Sequence, residues 1–184
     1  RLNLAGYPAR GNDKSSVTLV EVADYMCPHC RETEPSIEKI YKEFSDKVKF
    51  IHVSFPLSPK GLNGALARGA YCANAQGSDK FWSFHKLAFQ VSYDKMKPHN
   101  TTDPETSFNE DAKNVAKEAG RDMNAFTTCL SSGDSTAYIT KVQSDFNPSK
   151  GFQGTPTFYL NDRLIQASPA QIEQTLRTAL SSYN

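Results

Sequence analysis

Apolar and polar positions along this chain switch repeatedly between the period of a strand and that of a helix. "VTLVEVADY" (17–25) is β-branched and too continuously apolar for a one-sided strand, and predicts a strand buried on both faces. Ile37, Ile40, Tyr41 and Phe44 then recur at helical spacing, which predicts a helix from about Cys27 to Phe44, kinked at Pro35. "VKFIHVSFPL" (48–57) returns to strand character. A strand, a helix and a strand in such close succession predict a right-handed βαβ unit with parallel strands.

From about Pro59 to Pro148 the pattern is helical, punctuated by Gly61, Gly77, Gly120 and Gly133. The helical stretches are "LNGALARGAYCANAQ", "KFWSFHKLAFQVSY", "NEDAKNVAKEA", "MNAFTTCL" and "STAYITKVQSDF". Strand character comes back in "TPTFYL" (155–160) and "RLIQA" (163–167), joined by Asn161-Asp162 as a hairpin. A last helix is signalled by Ser168 as N-cap, Pro169 at the first helical position and Gln171 in a capping-box pattern. Its apolar stripe is Ile172, Leu176, Ala179, Leu180 and Tyr183.

The order βαβ, helical block, ββα predicts an α/β fold interrupted by an inserted helical domain. The first half is 1–58, with a leader over 1–16. The insert is 59–148 and the second half 149–184. There is no internal repeat.

Composition narrows the classes. The 184 residues are 38% hydrophobic and 11% aromatic, which fits a folded globular chain. A net charge of +1 with interspersed signs offers no basic face for nucleic acid. No apolar run reaches the length of about 18 residues that a membrane helix needs. The chain starts at Arg1 and no signal peptide is visible, so a signal is expected to have been removed.

The pointed chemistry is in "ADYMCPHCRETEP" (23–35), where Cys27 and Cys30 flank Pro28 and His29. Cys27 falls at the junction of strand and helix, with Pro28 at the first helical position, where its missing N–H costs nothing. The first-turn amides of His29 and Cys30, the helix dipole and the His29 imidazole all favour thiolate over thiol at Cys27. A stable thiolate is a good leaving group, so a Cys27–Cys30 disulfide is primed to be handed to a substrate dithiol. His52, His85 and His99 read as ordinary strand, helix and loop residues. Phe81, Trp82, Phe84 and Phe89 read as helical core.

Cys72 and Cys129 complete the cysteine count, which alone admits two disulfides, four zinc ligands, or a reactive pair beside two buried thiols. Zinc is disfavoured, since the second pair is not clustered and Cys27 reads as a helix start, not a knuckle loop. The expectation is a structural disulfide between Cys72 and Cys129 within the inserted helices, with no metal site.

With "CPHC" after a buried strand, the helical insertion and "GTPTF" (154–158) opening the hairpin, the chain resembles the DsbA family of thiol:disulfide oxidoreductases, within the thioredoxin superfamily. The resemblance covers nearly everything from Val17 onward. It implies a thioredoxin-like fold, a cis bond at Pro156, and pairing of the Thr155 backbone with the substrate peptide. It also implies that Glu21 is the family's buried acidic residue, a candidate for proton exchange with Cys30. Phe50 stands where the family often carries a lysine opposite that acid. Implied too are cysteine-containing, unfolded secreted substrates, a membrane reoxidising partner (quinone-linked, DsbB-like or equivalent), no prosthetic group, a monomer and an extracytoplasmic location. Two other readings stay open. Thr155 before the proline is shared with isomerase and reductase relatives, and a non-catalytic binding module could use the motif only to lock the helix.

Overall fold

The computed structural model describes residues 1–182. In chain order its elements are β1 (Ala9–Gly11), β2 (Thr18–Ala23), α1 (Pro28–Phe44), β3 (Lys49–Ser54), α2 (Leu62–Asn74), α3 (Ser78–Ala88), α4 (Pro104–Glu118), α5 (Met123–Leu130), α6 (Gly133–Asp145), β4 (Thr157–Leu160), β5 (Arg163–Ile165) and α7 (Pro169–Ser182). Short 3₁₀ turns lie at Tyr93–Met96 and Pro148–Lys150. The chain divides into two compact units. One is 1–23, 28–53 and the described chain from 145 onward; the other is 24–27 and 54–144.

The first unit carries a five-stranded sheet in the order β1-β3-β2-β4-β5. Strands β2 and β4 run antiparallel with Leu19 opposite Leu160 and Glu21 opposite Phe158. One face of the sheet buries Val17, Leu19, Phe158, Leu160, Val48 and Phe50 against Ile37, Ile40 and Phe44 of α1 and Ile172 and Leu176 of α7. The alternation along β2 puts Glu21 on that same face, two residues beyond Leu19. Ala179 and Leu180 pack against this core as partly buried residues. Tyr183, expected to continue the stripe, lies outside the described residues.

The hairpin β4–β5 turns on Asn161 (φ +48°) and Asp162 (φ +71°), the two positive φ values that a tight two-residue turn requires. Asn161 also laces the start of β2: its Oδ1 accepts from Thr18 N at 2.8 Å and its Nδ2 donates to Ser16 O at 2.9 Å.

Strand β1 lies within the stretch read from the sequence as a leader over 1–16. It pairs antiparallel with β3, Arg10 opposite Phe50, and makes the sheet five-stranded. "ARG" has no strand signature, and its extended form comes from the exposed edge of β3 that it covers. The first sequence strand is also shorter than expected, ending at Ala23, so Asp24 and Tyr25 lie beyond it.

In the second unit α2 is buried on nearly every side, from Leu62 to Ala70 and again at Cys72 and Ala73. Its small residues admit close neighbours: a Cβ on Gly69 would stand 2.8 Å from Phe84 Cζ. Phe81, Phe84, Phe89 and Phe126 are buried here. A disulfide joins Cys72 of α2 to Cys129 of α5, with an S–S length of 2.13 Å. With those two sulfurs bonded to each other, a four-cysteine zinc site is not available.

Candidate active site

Cys27 closes the segment Asp24–Cys27 that links β2 to α1, and Pro28 is the first residue of the helix. Cys27 N donates to Asp24 O at 3.1 Å, which tightens the link into a turn. The two motif cysteines differ in exposure. Cys27 is partly exposed, Pro28 and His29 are exposed, and Cys30 is completely buried. The helix explains the contrast. Cys30 shares its inward face with Ile37 and Phe44, whereas Cys27 stands at the open end of the helix, where first-turn amides have no helical acceptors. Thr33 Oγ1 donates to His29 O at 2.8 Å, tightening that first turn.

Asp24, which sequence reading passed over, organises the link. It is 2% exposed, and its Oδ1 accepts from Met26 N at 2.9 Å. Its Oδ2 accepts from Leu57 N at 2.9 Å and from Asn63 Nδ2 at 2.7 Å. One carboxylate therefore holds three N–H groups from three places in the chain, and so fixes Leu57, whose side chain is 50% exposed. Next to it, Tyr25 is buried with its hydroxyl 2.9 Å from His85 Nδ1, accepting from Ser54 Oγ at 3.1 Å, and its ring against Phe89 at 4.7 Å. An aspartate two residues before a backbone N–H it can cap is an Asx-turn signal, and that pattern is visible in "ADYMC".

Beneath α1 lies a cluster of ionisable groups. Glu21 on β2 and His52 on β3 are both buried, with Oε1 and Nδ1 3.1 Å apart. Phe50, two residues before His52, packs its ring on Tyr41. The polar partner of Glu21 is displaced by two residues along the same strand. Positions two apart share a face, and this parity was the available signal for His52.

Glu34 and Glu38 follow Cys30 at one and two i+4 steps, so all three lie on one stripe of α1. Arg10 of β1 forms an ion pair with Glu38, and its guanidinium stacks 3.7 Å above the Tyr41 ring. Burial, then the charges of Glu21 and Glu38 and a hydrogen bond to Glu38, push the Glu34 carboxyl up to about 10, against the pull of Arg10. Glu34 is thus a protonated acid at neutral pH, donating toward a Glu38 carboxylate that Arg10 neutralises. A half-buried carboxylic acid one helical turn from Cys30 is a local proton store.

Thr155-Pro156 is a cis peptide bond, the only one among the described residues. It directly precedes β4, with Pro156 buried and Thr157 Oγ1 donating to Gly154 O at 2.5 Å. Among the remaining histidines, His99 pairs with Glu110 at 3.0 Å on the surface of the helical unit.

The thioredoxin family model matches residues 5–178. Disulfide bond formation protein D of Bacillus subtilis (strain 168) is 30% identical over 186 aligned residues, covering 97% of this chain and 79% of that protein. The chain belongs to the DsbA family of the thioredoxin superfamily. The crystal structure of oxidised BdbD from Bacillus subtilis superposes with a TM-score of 0.78 at 27% identity, over 98% of this chain and 96% of that one. A Na(+)/H(+) antiporter, NhaA 3 of Salinispora tropica, is 26% identical over 95% of this chain, which spans only 24% of that protein. The DsbA-family assignment thus rests on matches that run the length of the described chain, helical unit included. Among the described residues no helix is long and apolar enough to cross a membrane.

Proposed function

We propose that this chain is a thiol:disulfide oxidoreductase that donates its Cys27–Cys30 disulfide to cysteine-containing proteins as they fold outside the cytoplasm. The observation that carries the reading is the difference in exposure within the motif: a reachable Cys27 at the head of α1 and a fully buried Cys30. Only Cys27 can be attacked by a large substrate.

In the oxidised protein a substrate thiolate attacks the Cys27 sulfur. The Cys27–Cys30 bond breaks, its electron pair stays on Cys30, and a mixed disulfide forms between Cys27 and the substrate. The substrate's second thiolate then attacks its own sulfur in that mixed disulfide and releases Cys27 as thiolate. Two electrons have passed to the protein, and two protons released by the substrate thiols balance them. The amides at the start of α1 and His29 stabilise the Cys27 thiolate, which makes it the better leaving group in the second step. Glu21, with His52 and Glu34 beside it, receives or returns the proton of Cys30. The backbone at Thr155, ahead of Pro156, holds the substrate as an added extended strand. A membrane-bound partner with a two-electron acceptor restores the disulfide. No prosthetic group takes part, and the chain acts as a monomer. The match to a Na(+)/H(+) antiporter supports work at the membrane.

The test is a pair of variants, C30S and C27S, mixed with reduced, unfolded client proteins under an oxidised glutathione buffer. C30S should accumulate mixed disulfides through Cys27, and C27S should not. Equal behaviour of the two, or a wild-type protein that leaves client thiols unoxidised, overturns the reading. A reduction potential as low as that of thioredoxin would instead place the chain with reductases.

A further inference from the structure

Asp24 is the buried charge closest in sequence to the nucleophile, and no step of the exchange above uses it. Its carboxylate makes three hydrogen bonds, all to N–H groups: Met26 N, Leu57 N and Asn63 Nδ2, at 2.9, 2.9 and 2.7 Å. Its own carbonyl accepts from Cys27 N. Met26 is bonded directly to Cys27, so the carboxylate is fixed within about two residues' reach of the Cys27 sulfur. The side chain is 2% exposed, so water does little to screen it. Among the described residues no cation is a partner of this carboxylate, and its charge is met by dipoles.

We infer that Asp24 is a positioning residue that sets the reduction potential of the Cys27–Cys30 pair, resting on the oxidoreductase reading above. It acts in two ways through Cys27. The hydrogen bonds that Met26 N and Cys27 N donate to Asp24 hold the nucleophile at the end of α1. The fixed negative charge opposes the thiolate that appears at Cys27 on reduction, which works against the helix amides and His29. Asp24 therefore moderates the oxidising strength that the helix start would otherwise confer. A neutral side chain of the same shape favours the reduced protein.

The experiment is the equilibrium of the full chain with glutathione at fixed pH, reading the constant for reduction of the disulfide to the dithiol, together with the thermal midpoint. D24N should raise that constant about three- to tenfold, from the loss of one buried charge close in the chain to Cys27. Tenfold corresponds to about 30 mV for a two-electron couple. The exchange D24N/N63D keeps a hydrogen bond between positions 24 and 63 and takes the carboxylate off the residue whose carbonyl accepts from Cys27 N. It serves as the second variant if D24N does not fold, and should raise the constant likewise. A purely structural Asp24 would lower the midpoint and leave both constants within twofold of wild type, and that result overturns the inference. If the wild-type protein itself does not exchange with glutathione, the oxidoreductase reading fails first, and the two failures are told apart.

Discussion

Glu21 Oε1 and His52 Nδ1 meet at 3.1 Å between neighbouring strands, with 6% and 2% of the two residues exposed. A carboxylate in such a place depends on its donor. Replacing His52 by Phe should cost about 1–3 kcal/mol, because it leaves the Glu21 carboxylate buried without that partner. Replacing both residues, as in E21L/H52F, should recover most of the loss. Urea midpoints of the two variants decide this, and a double variant as unstable as H52F would show that packing, not the polar pair, holds the strands.

Glu34 makes stability depend on pH. A carboxyl raised from its ordinary value of 4.5 to about 10 binds more protons in the folded chain than in the unfolded one throughout the interval between them. Stability therefore falls as pH rises through that interval, by at most about 1.4 kcal/mol per pH unit from this group. E34Q cannot lose a proton and should flatten the decline. Urea unfolding at pH 6 and pH 9 measures it; a decline equally steep in E34Q would remove Glu34 as the cause.

The Cys72–Cys129 disulfide closes a segment of 57 residues inside the helical unit. In the chain-entropy description such a closure contributes roughly 4 kcal/mol, an upper figure in practice. The double variant C72A/C129A should lose a large part of that in a urea titration. Its Cys27 and Cys30 should still exchange with glutathione, since neither removed sulfur belongs to the motif. Loss of exchange in a folded double variant would contradict the separation of the two pairs.

Gly64 sits where the chain folds back on the loop before α2. A Cβ there would stand 1.7 Å from Pro59 O, a backbone atom that cannot swing aside. Gly61 N and Gly64 N both donate to Ser58 O, so the loop is tightly wound. G64A should therefore cost at least about 2 kcal/mol in spite of the better helix propensity of alanine. A thermal midpoint at or above that of the wild type would show that the loop relaxes freely.

What could be read from the sequence follows the range of the forces involved. The buried strands, the amphipathic α1 and α7, and the turn at Asn161-Asp162 are dictated by local pattern, and the structure has them in place. Strand β1 is not local: three residues without β-branched side chains become a strand because β3 offers an edge. The partner of Glu21 depends on the register of two strands, which local pattern does not carry, so His52 reads from the sequence as an ordinary strand residue. Asp24 read as the tail of a strand because a polar residue at a strand end is unremarkable, while its three donors come from positions 26, 57 and 63.

The register of β2 against β4 has a consequence for how the molecule comes into being. Leu19 must find Leu160, and every residue of the helical unit from 54 to 144 lies between them. A chain that emerges N-terminus first cannot complete its sheet until nearly all of it has been delivered. The helices, whose partners are closer along the chain, have what they need earlier. Cys27 and Cys30 are thus delivered well before the strand that completes their scaffold, and stand in their final setting only once β4 has arrived.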